Sequence, residues 1–224
     1  MEETYTFEQE PFGTDSFADN PEPRCPCVLL LDVSGSMRGA PIEQLNQGIV
    51  TYKNELESDP IAAKRVETAV VTFGPVKLES SFHTVGNLLL SSLQSSGDTP
   101  MGAAIEMGIN ILNERKAEYR KNGIQFFRPW IFLITDGAPT DSWSEAARLV
   151  HEGEKNKSFA FFAVGVDGAN MEILEKISER QPLKLVGLSF KELFVWLSNS
   201  MKSVSRSAMG VEVKLLPPKG WAEV

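Results

Sequence analysis

Apolar and polar positions along this chain fall into blocks whose period switches repeatedly between that of a covered strand and that of an amphipathic helix. The run Val28 to Leu31 is continuously apolar, as in a strand covered on both faces, and it stops at Asp32. Pro41 then opens a helical pattern in which Ile42, Leu45, Ile49 and Tyr52 share one stripe. Val66 to Phe73 is the next strand, and the brief VKLES after Gly74 and Pro75 predicts a short hairpin partner at a sheet edge. A short helix is expected between Gly86 and Leu93. A longer, well-buried helix follows the punctuation SSGDTPMG, carried by Ala103, Ile105, Met107, Ile109 and Leu112. WIFLIT is a second fully apolar strand, ended by Asp136 and Gly137. Beyond it the pattern predicts a helix from Trp143 (EAARLVHEGEK), a strand (FAFFAVGV), a helix (MEILEKISER) and a short last strand (PLKLV). An amphipathic helix with Phe190, Leu193, Phe194 and Leu197 inward closes the series.

Strands alternating with helices imply parallel pairs joined by right-handed crossovers. The expected fold is therefore α/β, a three-layer doubly wound, mostly parallel sheet with one short antiparallel edge strand. In such a sheet the loops after the strand C-termini gather at one edge, where ligands bind. Asp32, Asp136 and Thr99, the last at the head of a helix, are all delivered to that edge. The chain divides into an acidic leader over 1–24, rich in turn formers, a domain over 25–204 and a tail over 205–224.

Composition narrows the class. A chain of 224 residues holds one sizeable core, and a hydrophobic fraction of 42% with 23% charged residues is that of an ordinary globular protein. The formal net charge of -8 repels phosphate backbones, which excludes nucleic acid as a partner. The start, MEETYTFEQEPF, has neither a basic n-region nor an apolar h-region, and no stretch is apolar for the ~20 residues of a membrane span. No membrane partner and a cytoplasmic location are expected. Cys25 and Cys27 flank Pro26, too close for an easy mutual disulfide and too few for a closed zinc site. Free thiols are the expectation, half of an intermolecular metal clamp the alternative.

The chemistry sits where the first strand ends. In DVSGS, Asp32, Ser34 and Ser36 aim three oxygens at one point if the loop curls tightly, as Gly35 permits. Oxygen donors alone suit a hard cation: Mg²⁺, with Mn²⁺ or Ca²⁺ able to take a similar set. A simple Ser/Gly strand-to-helix turn is the bland alternative. The recurrence of a strand-end carboxylate in ITDG, together with a hydroxyl in GDTPMG, favours the cation.

With those residues in view, the chain resembles von Willebrand factor A-type (VWA) domains, over about Val28 to Val204. Their metal-ion-dependent adhesion site (MIDAS) combines D-x-S-x-S, a distant Thr and an Asp after a later strand, matched here by Asp32, Ser34, Ser36, Thr99 and Asp136. The segments LLLDVSGSM, TPMGAAI and RPWIFLITDGAPTD look closest to the small bacterial VWA proteins associated with tellurite resistance and metal stress. The resemblance implies a non-enzymatic, metal-dependent interaction module, with one coordination position left to water or to an Asp or Glu of a protein partner. It also implies an assembly with a protein phosphatase and a kinase. Asp98 is read as an acceptor behind the metal ligands or a solvated loop residue, and Asp141 as the N-cap region of the helix starting near Trp143. Met37, Arg38 and Met101 flank the site, as a rim that a partner touches or, for the methionines, as ordinary packing.

Other chemistries fit less well. An aspartyl-phosphate phosphotransferase or phosphatase using Asp32 wants a second acid two positions on, where Ser34 stands. A serine hydrolase needs a base, yet His83 is expected in a loop and His151 on a helix, both away from the site edge. Neither GK[ST] nor G-x-G-x-x-G occurs, so nucleotide binding has no support. The Ser-rich tail, with Arg206 between Ser205 and Ser207, is a linker or a phosphorylation and docking segment, and Trp221 is expected to pack on the domain or on a partner.

Overall fold

The structure, a computed structural model, describes residues 17, 19–208, 210, 211, 213, 217, 218 and 220–223. Most of the expected acidic leader therefore lies outside the described residues. The strands are β1 (Cys25–Asp32), β2 (Val66–Phe73), β3 (Lys77–Thr84), β4 (Trp130–Thr135), β5 (Ala160–Gly165), β6 (Leu183–Leu185) and β7 (Ala222–Glu223). The helices are α1 (Ala40–Glu57), α2 (Ala62–Arg65), α3 (Met101–Lys121), α4 (Ser144–Lys155), α5 (Met171–Ile177) and α6 (Phe190–Arg206). All seven strands form one sheet in the order β3-β2-β1-β4-β5-β6-β7. The five from β2 to β6 run parallel, while β3 is antiparallel to β2 and β7 to β6.

The apolar strands are apolar because both faces are covered. On β1, Cys25, Cys27, Leu29 and Leu31 enter one core with α1 and α6, and Val28 and Leu30 enter another with α3, α4 and α5. The same alternation divides Trp130, Phe132 and Ile134 of β4 from Ile131 and Leu133. The predicted inward stripes of α1 and α6 are buried as expected. On α3 the inward line runs through Ala104, Ile105, Gly108, Ile109 and Leu112, while Ala103 turns outward and Met107 is half-buried. Both cysteines are free and fully buried. Burial pushes the Cys27 thiol up to about 12, so the pair offers no accessible sulfur for an intermolecular metal clamp.

Two local readings change. The segment expected to hold a helix between Gly86 and Leu93 has only a 3-10 turn, Val85–Asn87, followed by irregular backbone to the head of α3. Side chains of α1 take up the polar groups that a helix would have paired internally. Asn46 accepts from the Leu93 amide at 2.8 Å and donates to its carbonyl at 3.0 Å, and Lys53 donates to the Leu88 carbonyl at 3.1 Å. The hairpin strand β3 extends through His83, which pairs with Thr68 on β2 and is exposed on a strand rather than in a loop.

At the far end of the chain, α6 continues to Arg206, which places Ser205 inside the helix and fully buried. Trp221 is buried against Trp196, with ring centroids 5.3 Å apart, and leads into β7 at the sheet edge. Among the described residues, no helix is long and apolar enough to cross a membrane.

Candidate functional site

The parallel pairing decides what meets at the sheet's C-terminal edge. Leu31 is in register with Ile134, so Asp32 and Thr135 are neighbours across the β1–β4 pair. The Thr135 hydroxyl donates to Asp32 Oδ2 at 2.5 Å, and the Ser34 amide donates to Asp32 Oδ1 at 2.8 Å. The chain then curls through a 3-10 turn, Gly35–Met37, into α1. That curl is held from outside. The Val33 amide donates to the Phe73 carbonyl, the Ser96 amide to Val33, and the Gly35 amide to Gly97. Gly74 allows this close approach: its φ is +130°, and a Cβ there would lie 2.7 Å from the Ser34 nitrogen.

The curl brings the three predicted loop oxygens to Asp136. Ser34 Oγ and Ser36 Oγ are 2.9 Å apart, and Ser36 Oγ donates to Asp136 Oδ1 at 2.7 Å. Thr99 arrives from the other side. A Cβ on Gly137 would sit 3.4 Å from Thr99 Oγ1 and 4.0 Å from Asp32 Oδ2, so the hydroxyl and the carboxylate flank the same glycine. All five predicted residues are thus gathered at one place, Ser36 exposed at its mouth and Asp32 fully buried at its base.

The electrostatics are those of carboxylates without a counter-charge. Burial is the main influence raising the Asp32 pKa, opposed by its hydrogen bonds with Ser34 and Thr135 and reinforced by the charge of Asp136. Burial likewise raises Asp136, with the Ser36 hydroxyl acting against it. Among the described residues, neither carboxylate is paired with a Lys, Arg or His. No group of three or more His, Cys, Asp and Glu side chains among them could hold a metal either. A cation at this edge would have to be held by two carboxylates and three hydroxyls. Such a set suits Mg²⁺, Mn²⁺ or Ca²⁺ and not zinc.

Of the flanking residues, only Asp141 takes a part that was not expected. Met37 and Met101 are fully buried packing residues, whereas Arg38 and Asp98 are exposed. Asp141 does not cap the helix that follows it. Its carboxylate accepts from the Gly102 amide at 3.0 Å and the Ala103 amide at 2.8 Å, capping α3 from another loop. The residue before that helix, Pro100, has no side-chain donor or acceptor with which to do so. His83 bonds Ser81 and His151 faces Glu179, so neither histidine stands beside a site hydroxyl.

Thr135 and Thr140 escaped sequence reasoning. Thr140 Oγ1 accepts from the Thr99 amide at 3.1 Å, and the Thr140 amide donates to the Thr99 carbonyl at 2.9 Å. The signal in the sequence was only that both hydroxyls lie in TDGAPTD; strand register and loop path reveal their partners.

Comparison with known proteins agrees with this geometry at the level of fold. Proximal thread matrix protein 1 from the mussel byssus superposes with a TM-score of 0.56 at 16% identity, over 81% of this chain and 49% of that one. The pilus adhesin SpaC from Lactobacillus rhamnosus GG, in its open conformation, gives 0.62 at 14%, over 83% and 31%. The ArnB paralog VWA2 from Sulfolobus acidocaldarius gives 0.53 at 14%, over 80% and 45%. The chain spans half or less of the length of these proteins. Residues 27–190 match the von Willebrand factor type A domain, and by that match the chain belongs to this family.

Proposed function

We propose that this domain is a non-catalytic, metal-dependent protein-interaction module. Domains of this family are commonly interaction modules, and the observation that carries the reading here is the fully buried Asp32 carboxylate. It lies near Asp136 and three hydroxyls with no basic side chain paired to it among the described residues. Asp32, Ser34, Ser36, Thr99 and Asp136 would hold Mg²⁺, and bound Mg²⁺ would supply a positive, oxygen-seeking centre for an acidic partner side chain. The protein's own part is to orient the five oxygens and to keep the site open at Ser36. A partner's Asp or Glu is the matching ligand, because a protein of net charge -8 attracts a carboxylate only where the local field is positive.

The finer placement, in a cytoplasmic stress-response or tellurite-resistance assembly with a phosphatase and a kinase, rests on the resemblance of LLLDVSGSM, TPMGAAI and RPWIFLITDGAPTD alone. The rival reading, an aspartyl-phosphate enzyme using Asp32, meets a physical obstacle. The carboxylate is fully buried and both its oxygens already accept hydrogen bonds, which blunts it as a nucleophile.

The deciding experiment is calorimetric titration with Mg²⁺, coupled to a pull-down in Mg²⁺ and in chelator, with Asp32→Ala as the control. One-site binding and metal-dependent capture by wild type alone are expected. Equal behaviour of the two proteins would place the metal elsewhere, and Asp32-dependent turnover of acyl phosphates would establish the enzyme.

A further inference from the structure

We propose that Thr140 and Asp141 form a clamp that sets the site's metal affinity without touching the metal, by making the loop after Asp136 and the head of α3 one rigid piece. This rests on the metal-binding reading above. Two of its five residues, Thr99 and Asp136, lie beside elements that no strand pairing joins: one precedes α3, the other follows β4. What joins them is the short loop 137–142. Thr140 exchanges two hydrogen bonds with the main chain of Thr99, at 2.9 and 3.1 Å, and the Asp141 carboxylate receives the amides of Gly102 and Ala103. The contact is also tight. A Cβ on Gly102 would lie 2.2 Å from the Ser142 carbonyl oxygen, so the helix can approach the loop this closely only with glycine there.

The chemistry at Asp141 is that of an anion on a helix N-terminus, where unpaired amides and the helix dipole both favour negative charge. It supplies from another loop the cap that α3 lacks in its own sequence. Thr99 is consequently held beside Asp32 by bonds to its own amide and carbonyl, leaving its hydroxyl unencumbered by those bonds. Without the clamp, Thr99 would have to be ordered at the moment of ligation, and that ordering costs affinity. Thr140 and Asp141 are positioning residues.

The test is Mn²⁺ affinity, read from the free-ion spin-resonance signal, alongside thermal melts. Asp141→Ala is expected to weaken Mn²⁺ binding about tenfold, as losses of partners behind metal ligands commonly do. The structural control is Asp59→Ala. Asp59 caps a helix in the same manner, accepting from the amides of Ile61 and Ala62, but at the opposite end of the sheet. That variant should melt earlier and bind Mn²⁺ as wild type does. If Asp141→Ala fails to fold, Thr140→Val, which removes one acceptor, takes its place with a loss in the same direction. Wild-type affinity in the Asp141 or Thr140 variant, or an equal loss in Asp59→Ala, overturns the clamp while leaving the metal site standing. A wild type that binds no Mn²⁺ overturns the metal reading and the clamp with it.

Discussion

Asp32 is a carboxylate that burial holds above its ordinary pKa, and this has a definite sign for stability. A group whose folded pKa exceeds its unfolded value, about 3.9 for Asp, contributes stability that is fully present below the unfolded pKa and lost as pH rises through the folded one. In chelator, therefore, the contribution of Asp32 should be lost as pH rises from about 4 through its folded pKa, and Asp32→Asn should lack that part of the slope. A bound cation reverses the sense. Ligands must be deprotonated to bind, so stabilisation by Mg²⁺ should grow over the same interval. Urea melts of both proteins, with EDTA and with Mg²⁺, check this. A Mg²⁺ response in the Asn variant equal to that of wild type would remove Asp32 from the ligand set.

Among the elements, β2 carries a charge far from the site that holds the opposite end of the sheet together. Glu67, near its start, is buried and accepts from Arg24 at 2.7 Å, from Arg115 at 2.7 and 2.9 Å, and from the Tyr119 hydroxyl at 2.6 Å. Arg24 also reaches the carbonyls of Asn20 and Glu22, and Phe17 lies against both guanidinium groups. Removing one partner from such a network strands the others in a poorly solvated place. Glu67→Ala should lose about 3–5 kcal/mol in denaturant melts, while its Mg²⁺ affinity stays that of wild type. A loss below about 1 kcal/mol would mean that water replaces the carboxylate and that the network adds little.

At the scale of the whole sheet, Trp221 and β7 pack on α6 and on the edge strand β6. Trp221 buries its ring against Trp196 on α6, its carbonyl accepts from the Val186 amide, and β7 then covers the outer edge of β6. Trp221→Ala should cost about 3–5 kcal/mol, the usual range for deleting a buried indole, and should also expose the β6 edge. Denaturant melts measure the first effect and amide exchange at Val186 the second. Unchanged exchange there would show that the edge stays covered without the tryptophan.

The linear pattern was enough for the doubly wound sheet, because covered strands and amphipathic helices impose their periods locally, residue by residue. Carboxylates at strand ends, Asp32 and Asp136, are likewise visible as breaks in apolar runs, whereas the full set with Ser34, Ser36 and Thr99 came from the family resemblance. Its failures share one cause, partners distant in the chain. Gly86 to Leu93 read as helical, but Asn46 and Lys53 of α1 take up polar groups of Leu93 and Leu88. Asp141 read as a cap for the helix next to it and instead caps α3, 38 and 39 positions back. Thr135 meets Asp32 from 103 positions away, through a register that no local period encodes. Local periodicity was sufficient for most of the strands and helices and for the strand-end carboxylates, since each of these is written in consecutive residues. Which groups hold those residues in place emerges from the folded arrangement, because a hydrogen bond between distant segments depends on register and loop path rather than on the residues beside it.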